Sequence, residues 1–437
     1  MRIAMIGTGY VGLVSGACFS EFGHTVTCID KDAGKIADLK KGKIPIYEPG
    51  LEEVVLTNLR AGRLFFETDL TKPVAEADVV FIAVGTPSRR GDGHADLSFV
   101  FAAAEEIAKA LTGYTLVVTK STVPVGTSRK VESIIRGIVM DAEFEVASNP
   151  EFLREGSALE DFRRPDRVVV GCDTERAKNM LRETYRPLYL NETPIIFTGR
   201  ETSELIKYAA NAFLATKITF INEIADICEK VGGDVQDLAR AIGLDGRIGS
   251  KFLHAGPGFG GSCFPKDTLA LVKTAEICGA PTRIVEAVVE VNEQRKVLMA
   301  KKIEGAFGSL KGKTIAVLGL TFKPNTDDMR DAPSLVIVPY LQERGAKIRA
   351  YDPAASKEAK KLLNLDLCED AYDAIRGADG VVLLTEWNAF RALDLDRVRT
   401  SLRTPLVVDL RNVYRPSDMI EAGFIYESIG RAAPASA

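Results

Sequence analysis

Residues 3–30 limit the fold more than any other stretch of the chain. Ile3–Ile6 is a short apolar run, and Gly7-Thr8-Gly9-Tyr10-Val11-Gly12 follows it without a gap. In this GxGxxG spacing Gly7 permits a tight turn, Gly9 lets a pyrophosphate approach the main chain, and Gly12 lets helix and sheet pack closely. Leu13–Phe22 is apolar and small enough to be that helix, Gly23-His24 ends it, and Thr25–Ile29 reads as the next strand. Asp30 then stands where a carboxylate accepts hydrogen bonds from the adenosine ribose, which favours NAD over NADP. Strand, loop, helix, strand and acid in this order predict an α/β dinucleotide domain held around Gly7, Gly9, Tyr10, Val11, Gly12 and Asp30. Lys35 either adds a cation on the adenosine side or is a solvated helix lysine.

Further strands are expected at 77–84 and 116–120, ending in Gly85-Thr86-Pro87 and in Ser121–Gly126. Ligands of open α/β sheets bind beyond the carboxyl ends of strands, so Thr86 and Thr122 are candidates for the nicotinamide half or its phosphates; each could instead cap a helix. Residues 92–96 read as a polar loop. In Ser148–Gly156, Glu151 and Glu155 are four apart and are expected to share a helix face, one of them turned to a reaction site. Arg163, Arg164 and Arg167 either touch a substrate phosphate or form local ion pairs.

At 437 residues the chain is too long for one ordinary core. Thr198-Gly199-Arg200-Glu201 has capping-box spacing, and helical periodicity runs from about 202 to 231, where Gly232-Gly233 stops it. Lys207, Asn211, Ile218 and Asn222 share one face of that helix. A lysine and an asparagine one turn apart on an apolar helix either project into a cleft or are a snorkelling lysine beside a satisfied amide. Helices are also expected at 235–243, 265–278 and 282–303, and a second βα series has strands at 314–320, 346–351, 380–384 and 405–410. Lys323 and Arg330 are its strand-end cations, Trp387 is read as packing on an interdomain face, and the tail from Ala432 as disordered. The expected fold is two Rossmann-like doubly wound domains joined by a helical middle with a long central helix, divided at 1–198, 199–305 and 312–431.

The chemistry centres on Gly258-Phe259-Gly260-Gly261-Ser262-Cys263-Phe264-Pro265-Lys266-Asp267. Pro265 can open a helix, which puts Cys263 at its N-terminus, where orphan N–H groups favour a thiolate. Lys266 adds a cation, and Asp267 returns to the same side one turn on. The plain alternative is a small core thiol in a glycine-rich turn. Dinucleotide chemistry implies hydride transfer, yet none of the three histidines (24, 94, 254) lies in a motif resembling a proton relay. A cysteine is superfluous for simple alcohol oxidation. It has a purpose if the aldehyde is trapped as a thiohemiacetal, oxidised to a thioester and hydrolysed. Lys207 and Asn211 would stabilise the alkoxide-like oxygen, while Asp267 and a carboxylate of the Glu151/Glu155 loop organise water.

GTGYVG, STVPVGT, SNPEFLREG, KYAANAFLATKITFINE, GFGGSCFPKDT and FKPNTDDMRDAP together resemble the UDP-glucose/GDP-mannose family of nucleotide-sugar dehydrogenases over almost the whole chain. The resemblance implies an NAD-binding first domain, a helical dimerising middle and a UDP-sugar-binding last domain. It also implies NAD-dependent four-electron oxidation of UDP-glucose to UDP-glucuronate through a thioester on Cys263. The family pattern makes Cys263 the nucleophile; Lys207, Asn211 and Thr122 position alkoxide and water. Asp267 matches the residue for water and geometry, and Glu151 the base of thioester hydrolysis. Glu155, Lys266 and Arg330 match positions near the cofactor. Glu151, Phe152, Leu153, Arg154, Lys207, Asn211, Phe259, Gly260 and Lys323 match substrate contacts, and Arg247 an arginine that reaches substrate from the partner subunit. GDP-mannose enzymes often carry Leu and Val where Phe264 and Thr268 stand here, which favours UDP-glucose over GDP-mannose or UDP-N-acetylmannosamine. A nucleotide-sugar-binding protein without turnover would keep the same fold, but Cys263, Lys207 and Asp267 are all present. A simple two-electron alcohol dehydrogenase would leave Cys263 without a task.

Composition narrows the partners. With 56 Lys and Arg against 60 Asp and Glu, a formal charge of -4 gives no reason to expect nucleic acid or an acidic membrane surface. The seven cysteines have no metal-ligand spacing, so no metal is expected and a reducing, cytoplasmic setting is. No signal-peptide pattern or membrane-length apolar run stands out.

Overall fold

The computed structural model describes residues 1–89 and 93–432, so Asp92 of the polar loop and residues 433–437 of the tail lie outside the described residues. The chain divides into two compact units, Met1–Ala210 with Lys273–Gly279 and Asn211–Val272 with Ala280 onward.

Among its described residues the first unit holds eight strands: β1 (Arg2–Ile6), β2 (Thr25–Ile29), β3 (Leu64–Glu67), β4 (Val79–Ile82), β5 (Thr115–Thr119), β6 (Phe144–Ser148), β7 (Val168–Gly171) and β8 (Ile195–Thr198). Their order is β3-β2-β1-β4-β5-β6-β7-β8, and all neighbours are parallel except β6 and β7. The central strands are continuous apolar runs because both faces are covered. One face packs Met5, Phe19, Phe81 and Phe162; the other packs Ile6, Ile82, Ile107 and Val117. Ile3 of β1 pairs with Val26 and with Val79, which centres the Gly7 turn at the carboxyl edge of the sheet. Gly7 has φ +102°, and a Cβ there would lie 2.6 Å from the Ala83 carbonyl oxygen. A Cβ on Gly12 would strike the Gly7 carbonyl, so the helix Tyr10–Glu21 can start only from this loop if both residues lack side chains.

Two local expectations fail. Thr198 ends β8 and its carbonyl takes the Cys172 N–H, while Glu201 pairs with Arg129, so no capping box forms. Sheet pairing and an ion pair claim both halves of the motif. Glu151 and Glu155 share no helix face, because residues 151–157 are irregular and the next helix begins at Ala158. Pro150 disfavours a helix running in from β6, and the Glu151 side chain closes onto the Leu153 N–H at 2.5 Å.

Among its described residues the second unit has six parallel strands: β9 (Thr314–Leu318), β10 (Lys347–Tyr351), β11 (Asp366–Leu367), β12 (Gly380–Leu383), β13 (Leu406–Asp409) and β14 (Ile425–Ser428), in the order β11-β10-β9-β12-β13-β14. It repeats a device of the first sheet without repeating its glycine motif. Asp30, after β2, accepts from Thr8 N and Oγ1; Asp352, after β10, accepts from Leu320 N, Thr321 N and Thr321 Oγ1. Trp387, read from the sequence as a residue of an interdomain face, is buried with Phe390, Leu383 and Tyr426 in this sheet's own core. The helices Val235–Gly243 and Arg283–Phe307 pack beside this sheet. The helices Arg200–Val231 and Phe264–Ile277 contribute residues to both units.

Candidate active site

In the first unit the glycine loop is held by the acid that follows β2. Asp30 Oδ2 accepts from Thr8 N at 3.0 Å, Thr8 Oγ1 at 2.7 Å and Lys35 Nζ at 2.9 Å. Burial pushes the Asp30 carboxyl up, but these donors and the Asp32 N–H outweigh it and bring it to about 2. Lys35 is therefore the partner of Asp30. The space a Cβ would take at Gly9 is open. An anionic side chain at the ribose position, a bare glycine and the start of a helix fit a dinucleotide. Tyr10 turns its phenol onto Glu48, and the same phenol oxygen accepts the Gly156 N–H at 2.9 Å. Val11 packs against the core on the β1 side.

Two strand-end loops meet beside this turn. The Thr86 hydroxyl donates to the Thr122 carbonyl at 2.9 Å, and Leu97 and Gly126 hold the cap positions of the helices that follow, so neither threonine caps a helix. Glu204 of the long helix accepts from Gly126 N at 2.6 Å and Ser128 N at 2.8 Å, anchoring the Thr122 loop. Lys207, one turn further on, places Nζ 3.0 Å from Glu151 Oε1, and both side chains are buried. Burial pushes the Glu151 carboxyl up; the Lys207 charge and hydrogen bond, the Leu153 N–H and the Lys120 charge outweigh it and hold it below the usual carboxylate range. The Phe152 ring lies under Lys207 Nζ at 5.4 Å and under the Arg167 guanidinium at 3.7 Å. Arg154 is turned onto Asp161, Arg163 onto Glu21 and Arg164 onto Glu160, so ion pairs and ring stacking occupy the arginines of this region. Leu153 and Glu155 are half-buried on the same turn.

In the second unit Cys263 caps the helix Phe264–Ile277, its carbonyl accepting the Asp267 N–H at 2.8 Å. The thiol is in no disulfide, half-buried and 3.5 Å from Ser262 Oγ. Asp267 is fully shielded; its Oδ2 accepts from Asn211 Nδ2 at 2.6 Å and its Oδ1 from Lys266 Nζ at 2.6 Å. Lys266 is thus engaged by the neighbouring carboxylate. Asn292 holds the loop before the cysteine at Phe259, accepting its N–H at 2.8 Å and donating to its carbonyl at 3.1 Å. The Gly261 N–H meets the Arg330 carbonyl at 2.7 Å, and a Cβ on Gly260 would collide with the Asp331 carbonyl. The cysteine loop is therefore stitched to the stretch that carries Lys323 and Arg330. Lys323 lies over the Phe322 ring at 5.3 Å, and Arg330 is exposed and paired with Asp328. Arg247 is exposed and forms a fork with Asp245.

Sequence reasoning missed Lys120, Glu48, Glu204 and Asn292. Glu48 is buried and also accepts from Gly156 N at 2.6 Å and Ala158 N at 2.8 Å. The available signal was a charged residue inside an otherwise apolar run, as at Lys120 after Leu116–Thr119. Among the described residues no group of His, Cys, Asp and Glu could hold a metal ion, and no helix is long and apolar enough to cross a membrane.

Comparison with known proteins matches this arrangement along the chain. Residues 1–189 match the NAD binding domain of the UDP-glucose/GDP-mannose dehydrogenase family, 201–294 its central domain and 316–416 its UDP binding domain. A UDP-glucose 6-dehydrogenase of Rhizobium meliloti (strain 1021) is 63% identical over 99% of this chain and 100% of its own length. A UDP-glucose dehydrogenase from the archaeon Pyrobaculum islandicum superposes with a TM-score of 0.91 at 40% identity, covering 98% of both chains. The UDP-D-ManNAc dehydrogenase from Pyrococcus horikoshii gives 0.87 at 26% identity, covering 99% of this chain and 100% of that one.

Proposed function

Because the chain belongs to the UDP-glucose/GDP-mannose dehydrogenase family, we propose that it oxidises UDP-glucose to UDP-glucuronate at the expense of two NAD. The observation that carries the chemistry is the Asn211–Asp267–Lys266 chain behind Cys263 at a helix N-terminus. An alcohol oxidised only once has no use for such a nucleophile. The Gly7–Gly12 turn and Asp30 would hold NAD, and two NAD bound in turn would each supply the acceptor for one hydride. Lys207 and Asn211 donate to the sugar oxygen as the terminal alcohol gives up its carbon-bound hydrogen as hydride and its hydroxyl proton to water, becoming an aldehyde. The Cys263 sulfur adds to the aldehyde carbon, and the thiohemiacetal loses a second electron pair to become a thioester. Water then adds to the thioester carbon, Glu151 takes its proton, the carbon–sulfur bond breaks, and the carboxylate and the Cys263 thiol are released. Thr122 and Asp267 position that water, Lys323, Phe259 and Gly260 bind the nucleotide sugar, and Glu155 lines the cofactor side.

We also infer a homodimer acting in the cytoplasm. Phe213, Phe220, Ile227 and Val231 are exposed on the long helix at spacings of seven, seven and four, the pattern of a helix that packs on a second copy. Arg247 is the residue such a partner would contribute, and size exclusion with light scattering measures the assembly. The function is tested by following NADH formation over a panel of nucleotide sugars. UDP-glucose should give two NADH per acid released, with the Cys263→Ser enzyme still binding NAD but releasing no acid. One NADH with a free aldehyde product, or undiminished acid release from Cys263→Ser, overturns the scheme.

A further inference from the structure

Lys120 is an ammonium in the core of the first unit that the reaction scheme does not use. It directly follows β5, is 3% exposed, and lies two residues before Thr122. Its Nζ is 3.2 Å from Asn149 Oδ1 and 3.2 Å from the Tyr185 hydroxyl, inside a cage of the Phe81, Phe162 and Tyr185 rings at 5.8, 5.9 and 5.9 Å. Asn149 is held from every side. Its N–H meets the Thr119 carbonyl at 2.9 Å, its Nδ2 the Val169 carbonyl at 2.8 Å, and its Oδ1 takes the Tyr185 hydroxyl at 2.5 Å. Pro150 and Glu151 follow directly. Burying an ammonium is costly, and a methionine would fill this cage without that cost.

We propose that Lys120 is a positioning residue for the reaction: it pins Asn149 and thereby the turn that presents Glu151 to Lys207, and its charge acts on Glu151 from behind. The proposal rests on the reading of Glu151 as the base of thioester hydrolysis. The charged and titratable groups facing Lys120 are Glu151, Lys207, the Cys18 thiol and the Tyr185 phenol. Burial brings the Lys120 ammonium down to about 8, with Glu151 opposing and Lys207 adding to the shift. The neighbouring Cys18 thiol is pushed by burial up to about 12 and stays neutral.

The test uses full-length Lys120→Met, Lys120→Gln and Lys120→Arg enzymes. In Met and Gln the acid limb of the kcat–pH profile should move up by about one pH unit, because a cation that favours the Glu151 carboxylate is gone, and kcat should fall about tenfold or more. Arg should keep the limb near its native place. Difference infrared spectra against Glu151→Gln follow the same carboxyl directly, so they report on Lys120 even if another group is the base; in that case the limb persists in Glu151→Gln. An unmoved Glu151 titration in Met or Gln overturns the electrostatic half. If neither variant folds, Tyr185→Phe removes one tether of Asn149 and keeps the charge. It should lower kcat with the limb unmoved, and native kcat in that variant overturns the pinning half.

Discussion

Replacing Lys207 by Met tests the central pair of the first unit. The ammonium lies 3.0 Å from Glu151, and the two side chains are only 4% and 6% exposed. Without it, Glu151 must either stay ionised in the core or take up a proton. Protonation sets the ceiling: for a carboxyl of ordinary acidity, pKa about 4.3, it costs about 3–4 kcal/mol near pH 7. Lys120 also favours the carboxylate, so the expected loss is about 3 kcal/mol, or roughly 6–12 °C in the melting of a unit this size. The sign with pH is reversed by the substitution. In the native protein the Glu151 carboxyl is depressed, so its contribution is present above the ordinary carboxylate range and lost as pH falls through it. In the variant the carboxyl is raised, so stability falls as pH rises, and the penalty shrinks to about 1 kcal/mol near pH 5. Circular-dichroism melts of the native protein, Lys207→Met and Lys207→Met/Glu151→Gln at both pH values measure this. The double variant should recover most of the loss and its pH dependence. Equal losses at the two pH values, or no recovery in the double variant, would refute the reasoning.

Asp30→Asn should raise KM for NAD about 10- to 100-fold and narrow the preference over NADP, because a charged acceptor worth about 1.5–3 kcal/mol is lost. Steady-state kinetics with both cofactors reads this, and an unchanged cofactor ratio would contradict it. The same change should flatten part of the acid unfolding curve. The drop of the Asp30 carboxyl from 3.8 to about 2 is worth about 2 kcal/mol, present above its ordinary value and lost as pH falls through about 2. Asn211→Asp places a second carboxylate against Asp267, where the amide now donates at 2.6 Å. Two carboxylates in contact share one proton at a cost of about 4 kcal/mol when both ionise, so activity should rise as pH falls while Asn211→Ala loses activity evenly. A profile for Asn211→Asp parallel to that of Asn211→Ala would argue against it.

Much of this was written along the chain. The Ile3–Asp30 stretch determined the first β–α–β unit, because each of its signals acts over a few residues: an apolar run, glycines at fixed spacing and an acid after the second strand. The helical register that puts Lys207 and Asn211 on one face followed from periodicity alone, and the cap position of Cys263 followed from the proline two residues on. What the local signals misjudged was settled by distant partners. Thr198 and Glu201 have capping spacing, but Cys172 and Arg129 claim them. Glu151 and Glu155 have helical spacing, but Pro150 and the Leu153 N–H hold the turn open. Lys120, Glu48 and Asn292 look ordinary in one dimension. Their partners lie 29 or more residues away, at Asn149 and Tyr185, at Gly156 and Ala158, and at Phe259. Sequence determined which chemical groups the chain carries and which local elements bear them. Tertiary structure decided which of those groups are charged, buried and paired, since desolvation and Coulomb attraction depend on neighbours that only folding brings together.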